Sequence, residues 1–159
     1  MTAGGSSLRE VQRLLAVLAA GRRAAEAGTA FGEGAEAIAS TAASLVTVEA
    51  DPARATAARE RLADRQNVEL VVGDWREELP PRGPFEFFFL DAGGWKSEPD
   101  ELPVDLLVPG GVLVLDDMTP GRTAADDPAR AFLFGHPELV AAELLATPHS
   151  AVLLAVRRG

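Results

Sequence analysis

At 159 residues, the chain is long enough for one domain (1–159) with its own core, and a net charge of −9 with a pI near 4.7 argues against nucleic acid as a partner. The absence of cysteine excludes disulfides, zinc–thiolate sites and thiol nucleophiles. The apolar run Leu14–Ala20 is too short to span a bilayer and follows Glu10 and Arg13, so no membrane helix or signal peptide is expected and the default location is cytoplasmic.

In chain order, residues 1–6 read as disordered. Ser7-Leu8-Arg9-Glu10 has the form of a capping box, and Leu8, Val11, Leu15 and Leu18 make the stripe of a helix that Gly21 ends. Arg22–Ala27 is a first strand, poor in propensity and assigned from the glycine turn after it. Helices are expected over Glu33–Ser40 and from Pro52 to about Arg65, the second opened by an Asp51 N-cap with proline behind it. Strands two and three are Leu45–Glu49 and Val68–Val72. After the loop Pro80–Pro84, Phe85–Leu90 is nearly continuous in apolar residues, as suits a strand buried on both faces. A short helix over Pro99–Leu107, a fifth strand at Val112–Leu115, a loop over Asp116–Asp127 and a helix from Pro128 to Gly135 follow. The end reads as a hairpin, Leu139–Ala146 with Ala151–Arg157. Alternation of strand and helix implies an α/β, doubly wound sheet.

The stretch Glu26-Ala27-Gly28-Thr29-Ala30-Phe31-Gly32-Glu33-Gly34 joins the first strand to the helix after it. Strand, glycine turn and helix let the main chain approach a ligand, with Gly28 and Gly32 free to take positive φ and unpaired helix N–H groups pointing the same way. Glu49 lies 21 residues past Gly28, at the end of strand two, where a carboxylate reaches both hydroxyls of a ribose. Asp74, after strand three, is placed to accept from the amino group of an adenine, with Trp75 flanking the ring.

These motifs resemble the S-adenosylmethionine-binding motifs of class I methyltransferases. The Glu26-x-Gly28-Thr29-x-x-Gly32 form, with Leu90-Asp91 and Leu115-Asp116-Asp117 further on, is most similar to small O-methyltransferases of the catechol type. The resemblance covers roughly residues 8–158. It implies a Rossmann-like sheet of order 3-2-1-4-5-7-6 with the pocket at the carboxyl ends of the strands. The cofactor residues it implies are Glu26, Gly28, Thr29, Gly32, Glu49, Asp74, Trp75 and Asp91. Ala30 stands where many members carry a second glycine, which a negative φ at that position would accommodate.

Asp91, Asp116 and Asp117 fall just after strands four and five, and three carboxylates suit a hard cation such as Mg²⁺. In the resembled enzymes two acids and an amide hold the ion, and Asp117 stands in the amide's place. The bland alternative is that Asp116-Asp117 caps a loop. Lys96 is the only lysine among 15 basic residues. Unlike arginine, lysine can give up its proton when desolvated. The resemblance implies a general base on the acceptor hydroxyl just after Asp91. Lys96 is five residues on, beyond two glycines, so a solvated loop lysine is the alternative. Trp95 either stacks on an aromatic acceptor or covers the loop's underside. His136 and His149 read as surface residues, and Phe87–Phe89 as core.

The expected function is methyl transfer from S-adenosylmethionine to an oxygen of a small, phenolic or catechol-like molecule, with Lys96 and Asp91 as catalytic residues. Mg²⁺ or another divalent cation is the second expected cofactor. A cofactor-binding scaffold without turnover is one alternative, because a single helix before strand one leaves little chain for a lid. An NAD-binding oxidoreductase is the other, disfavoured by Gly28-x-x-x-Gly32 spacing and by Glu26 facing a pyrophosphate. The expected partner is a small-molecule acceptor, with no nucleic acid and no membrane, and a homodimer is left open.

Overall fold

The computed structural model describes residues 7–159, so the expectation of disorder at 1–6 lies outside the described residues. Seven strands form one sheet: β1 Arg23–Ala27, β2 Ser44–Glu49, β3 Val68–Val72, β4 Phe85–Leu90, β5 Leu107–Met118, β6 Leu139–Thr147 and β7 Ser150–Arg157. Their order is β3-β2-β1-β4-β5-β7-β6, parallel as far as β5 and antiparallel through β7 and β6. Fold class and strand order are as the sequence implied.

Helices α1 Arg9–Ala19, α2 Glu33–Ala39 and α3 Pro52–Arg61 precede α4 Trp75–Glu78, α5 Leu102–Asp105 and α6 Pro128–Gly135. Side chains of β4 alternate between two cores. Phe88 and Leu90 pack with Trp75, Trp95, Val104 and Leu133, while Phe87 and Phe89 pack with Val11, Leu15 and Ile38. Alternation places neighbours on opposite faces, so the sheet is covered on both sides. β1 is a strand despite its alanines because it lies between β2 and β4, where Ala24, Ala25 and Ala27 are wholly buried and their small side chains let the helices approach.

Several boundaries differ from expectation. There is no capping box: Leu8 is the N-cap and has no side-chain bond, while Gln12 Nε2 donates back to the Ser7 carbonyl at 2.7 Å. α3 stops at Arg61, and α5 shrinks to Leu102–Asp105, with Glu101 at its N-cap and the Leu102 N–H donating to the Asp100 carboxylate at 3.1 Å. β5 begins at Leu107 and runs to Met118, so Asp116 and Asp117 lie inside it and the loop begins only at Thr119. Trp75 opens a short helix, α4, capped by Asp74, whose Oδ1 accepts the Arg76 N–H at 2.9 Å.

Candidate active site

The carboxyl ends of β1, β2, β3 and β4 surround a cavity of about 450 Å³, at the point where the chain reverses its direction of travel across the sheet. Gly28, Glu49, Asp74, Trp75, Asp91 and Asp117 line it. Gly28 has φ +92°, and a Cβ there would come within 3.0 Å of the Asp91 main chain, so glycine is required by both conformation and space.

Glu49 is buried, and each of its oxygens already accepts one main-chain N–H: Ala30 at 2.7 Å and Asp51 at 2.9 Å. A carboxylate has about four acceptor sites, so two remain for a ligand. Ala30 has φ +48°, contrary to the negative φ expected for a non-glycine residue. The bond from its N–H to Glu49 holds the turn in this left-handed conformation, which costs alanine roughly 1–2 kcal/mol.

Glu26, Thr29 and Gly32 do not line the main cavity. Glu26 and Thr29 instead line a small cavity with Gly28 and Asp91, and Glu26 accepts from Thr47 Oγ1, which pairs with Thr29 Oγ1 at 2.6 Å. Burial raises the Glu26 carboxyl to about 8, against the lowering effect of the Thr47 bond. Gly32 faces α3 rather than a ligand: its φ is +91°, and a Cβ would lie 3.3 Å from Ala58 Cα. Gly34, which the sequence reading left without a role, has Glu26 Oε1 only 2.5 Å from where its Cβ would stand.

Trp75 is buried on the cavity wall, 5.8 Å from the Phe88 ring, with the Arg76 guanidinium 4.8 Å from its own ring. Trp95 covers the loop's underside: it is wholly buried, edge-on to Phe132 at 5.4 Å, and unavailable to stack on an acceptor. His136 is tied to Glu101 at 2.7 Å and tilts against Phe132. Sequence reasoning missed Arg54 and Arg76, which also line the cavity. The signal was the caps Asp51 and Asp74, which place the first turns of α3 and α4, and so these arginines, at the strand ends.

A second cavity of about 280 Å³ is lined by Lys96, Ser97, Asp117, Met118, Arg122 and Asp127, among others. Asp117 lines both cavities and has φ +57°. Lys96 Nζ reaches from the β4–α5 loop and donates to the main-chain carbonyl of Asp116. Burial pushes the Asp91 carboxyl up to about 7, opposed by Lys96 and reinforced by Asp117 and Asp116.

The expected metal set of Asp91, Asp116 and Asp117 is not assembled: among the described residues no three acid or histidine side chains are grouped to hold an ion. Asp116 is buried in β5, and its carboxylate accepts the Asp117 N–H at 2.7 Å. The nearby cation is Lys96. These residues do not fit a divalent metal.

No protein-family model and no curated protein sequence matches the chain. Solved structures do. TomG of Streptomyces achromogenes, an O-methyltransferase involved in tomaymycin synthesis and solved in complex with SAM, is 25% identical over 97% of this chain and 82% of its own, with a TM-score of 0.80. An O-methyltransferase from Bacillus cereus, solved with SAH, is 22% identical over 96% and 83%, with a TM-score of 0.81. A methyltransferase from Geobacter sulfurreducens is 19% identical over 96% and 80%, with a TM-score of 0.78.

This is the class I methyltransferase fold. The resemblance of the motifs to S-adenosylmethionine-dependent O-methyltransferases is borne out by these structures. Among the described residues, no helix is long and apolar enough to cross a membrane.

Proposed function

We propose that this chain transfers a methyl group from S-adenosylmethionine to an oxygen of a small molecule. The observation that carries the reading is the order of polar groups around one cavity at the switch point of a methyltransferase sheet. Gly28 leaves the main chain open, Glu49 keeps two acceptor sites for a ribose, and Asp74 with Trp75 bounds the far end. The methyl donor supplies an electrophilic carbon on a sulfonium. Asp117 lies between the donor cavity, which Asp91 also lines, and the one beside Lys96, which we assign to the acceptor.

The acceptor oxygen forms the new C–O bond as the C–S bond breaks with its electron pair going to sulfur. The hydroxyl proton leaves to the Asp117 carboxylate or to water. Lys96 and Arg122 line the acceptor cavity as cations and orient an oxygen that gains negative charge. No step is assigned to a divalent cation. A net charge of −9 favours a small acceptor over nucleic acid. Thr29 and Gly32 shape the turn, and Glu26 stands beside it with Gly28 and Asp91.

The test is incubation of purified protein with S-adenosylmethionine and a panel of phenols, catechols and hydroxy acids, read by mass spectrometry. A product heavier by one methylene, with S-adenosylhomocysteine formed in equal amount, supports the reading. S-adenosylhomocysteine binding without turnover on any acceptor leaves the scaffold alternative.

A further inference from the structure

We infer, resting on the methyl-transfer reading of the two cavities, that Arg76 is a positioning residue. It ties the wall of the donor cavity to the loop that presents Lys96, so that filling the first cavity sets the second.

Arg76 stands in α4 and lines the donor cavity. Its guanidinium lies 4.8 Å from the Trp75 ring, on the same wall, and Nη1 donates to the Asp100 carboxylate. Asp100 is near the end of the loop of residues 91–101, which runs from β4 to α5. Its other carboxylate oxygen accepts the Leu102 N–H at 3.1 Å, and its main-chain carbonyl accepts the Trp95 indole N–H at 3.3 Å. Trp95 is wholly buried. The next residue, Lys96, donates to the Asp116 carbonyl and lines the acceptor cavity. One run of contacts therefore leads from the donor wall through Asp100 and Trp95 to the acceptor wall.

Trp95 and Lys96 fasten the loop to the core and to β5, and Arg76 fastens it to the donor side. The Arg76–Asp100 pair is partly exposed, 37% and 44%, and an exposed ion pair adds less than about fivefold to an equilibrium. A donor in the cavity covers the Arg76 side and displaces water there, which strengthens a charged hydrogen bond. The tie is therefore weak in the free protein and firmer in the donor complex. Arginine fits this place, because its planar group engages an aromatic ring and a carboxylate together.

The experiment is amide hydrogen exchange by NMR at Ser97 and Glu98, which donate to the Gly94 carbonyl at 3.0 and 3.1 Å and do not line the donor cavity. It compares the wild type, Arg76→Gln, Asp100→Asn and the double variant, free and saturated with S-adenosylhomocysteine. Asparagine keeps an oxygen for the Leu102 N–H. In the wild type the ligand should slow exchange at both amides by at least about threefold. Each single variant should lose this slowing, and the double variant should lose no more than either single, as partners in one interaction do. A merely structural role would loosen the loop equally with and without ligand. Slowing retained in the variants, additive losses, or no slowing in the wild type would each overturn the inference. Arg76→Met replaces Arg76→Gln if the latter does not fold. Failure of the wild type to bind S-adenosylhomocysteine in calorimetry would strike the methyltransferase reading instead. The free proteins then decide the tie: faster exchange at both amides in Arg76→Gln than in the wild type supports it, and equal rates overturn it.

Discussion

The Glu49 carboxylate accepts one main-chain N–H on each oxygen, from Ala30 and Asp51, and so fixes the glycine turn while facing the donor cavity. Its removal acts on binding and on folding. Each hydrogen bond from a ribose hydroxyl to a charged group is worth about 1.5–3 kcal/mol. We expect Glu49→Ala to weaken S-adenosylhomocysteine binding by at least tenfold, a factor worth about 1.4 kcal/mol, and to lower the melting temperature as well. Calorimetry showing unchanged affinity would remove Glu49 from the site. Glu26 gives a pH signature. Its folded pKa is raised from 4.5 to about 8, so the folded state keeps a proton that the unfolded chain releases above about 4.5. The stability this confers is complete below about pH 4.5 and is lost as pH rises to about 8. Asp91, raised from 3.8 to about 7, acts with the same sign over a lower window. Glu26→Gln should remove up to about 1.4 kcal/mol per pH unit of that decline, measured by denaturant unfolding at pH 6 and pH 8. An unchanged slope would mean that Glu26 is ionised in the folded protein. At this scale the sequence disclosed Glu49 and Gly28, whose roles follow from motif spacing. It did not disclose that Ala30 takes positive φ or that Asp116 turns onto its neighbour's N–H, because both depend on partners distant in sequence or on local main-chain geometry.

At the scale of elements, Arg130 joins α6, β6 and the loop between β5 and α6. Its wholly buried guanidinium pairs with Asp127 at 2.6 Å and Glu143 at 2.8 Å and donates to the Thr119 carbonyl at 2.9 Å. Taking one partner from a buried charge pair costs about 3–5 kcal/mol. Glu143 is partly exposed, so Arg130→Met belongs at the lower end, near 3 kcal/mol. Asp127 lines the acceptor cavity, so the same change should loosen that wall and raise KM for an acceptor more than it alters affinity for S-adenosylhomocysteine. Equal losses at both sites would point to general unfolding. The elements that sequence placed best, β3, β4 and α6, are those whose ends carry proline, glycine or an N-cap. α5 and β5 were misplaced because Pro103 and Pro109 sit inside them rather than at their ends, where the register follows pairing with neighbouring strands.

Over the whole molecule, seven strands bring together groups from five strand ends, so the donor and acceptor cavities share Asp117 as a common wall. Fold and strand order were legible because the motif order carried them; the two-cavity arrangement was not, because it depends on how far β5 extends. The central claim is that the 450 Å³ cavity is the methyl-donor site. Calorimetric titration with S-adenosylhomocysteine, with NAD as the control, tests it most directly. One saturable site per chain is expected for S-adenosylhomocysteine, weakened in Glu49→Ala, with no binding of NAD. Saturable NAD binding, or no heat with S-adenosylhomocysteine from a protein that melts cooperatively, would contradict it.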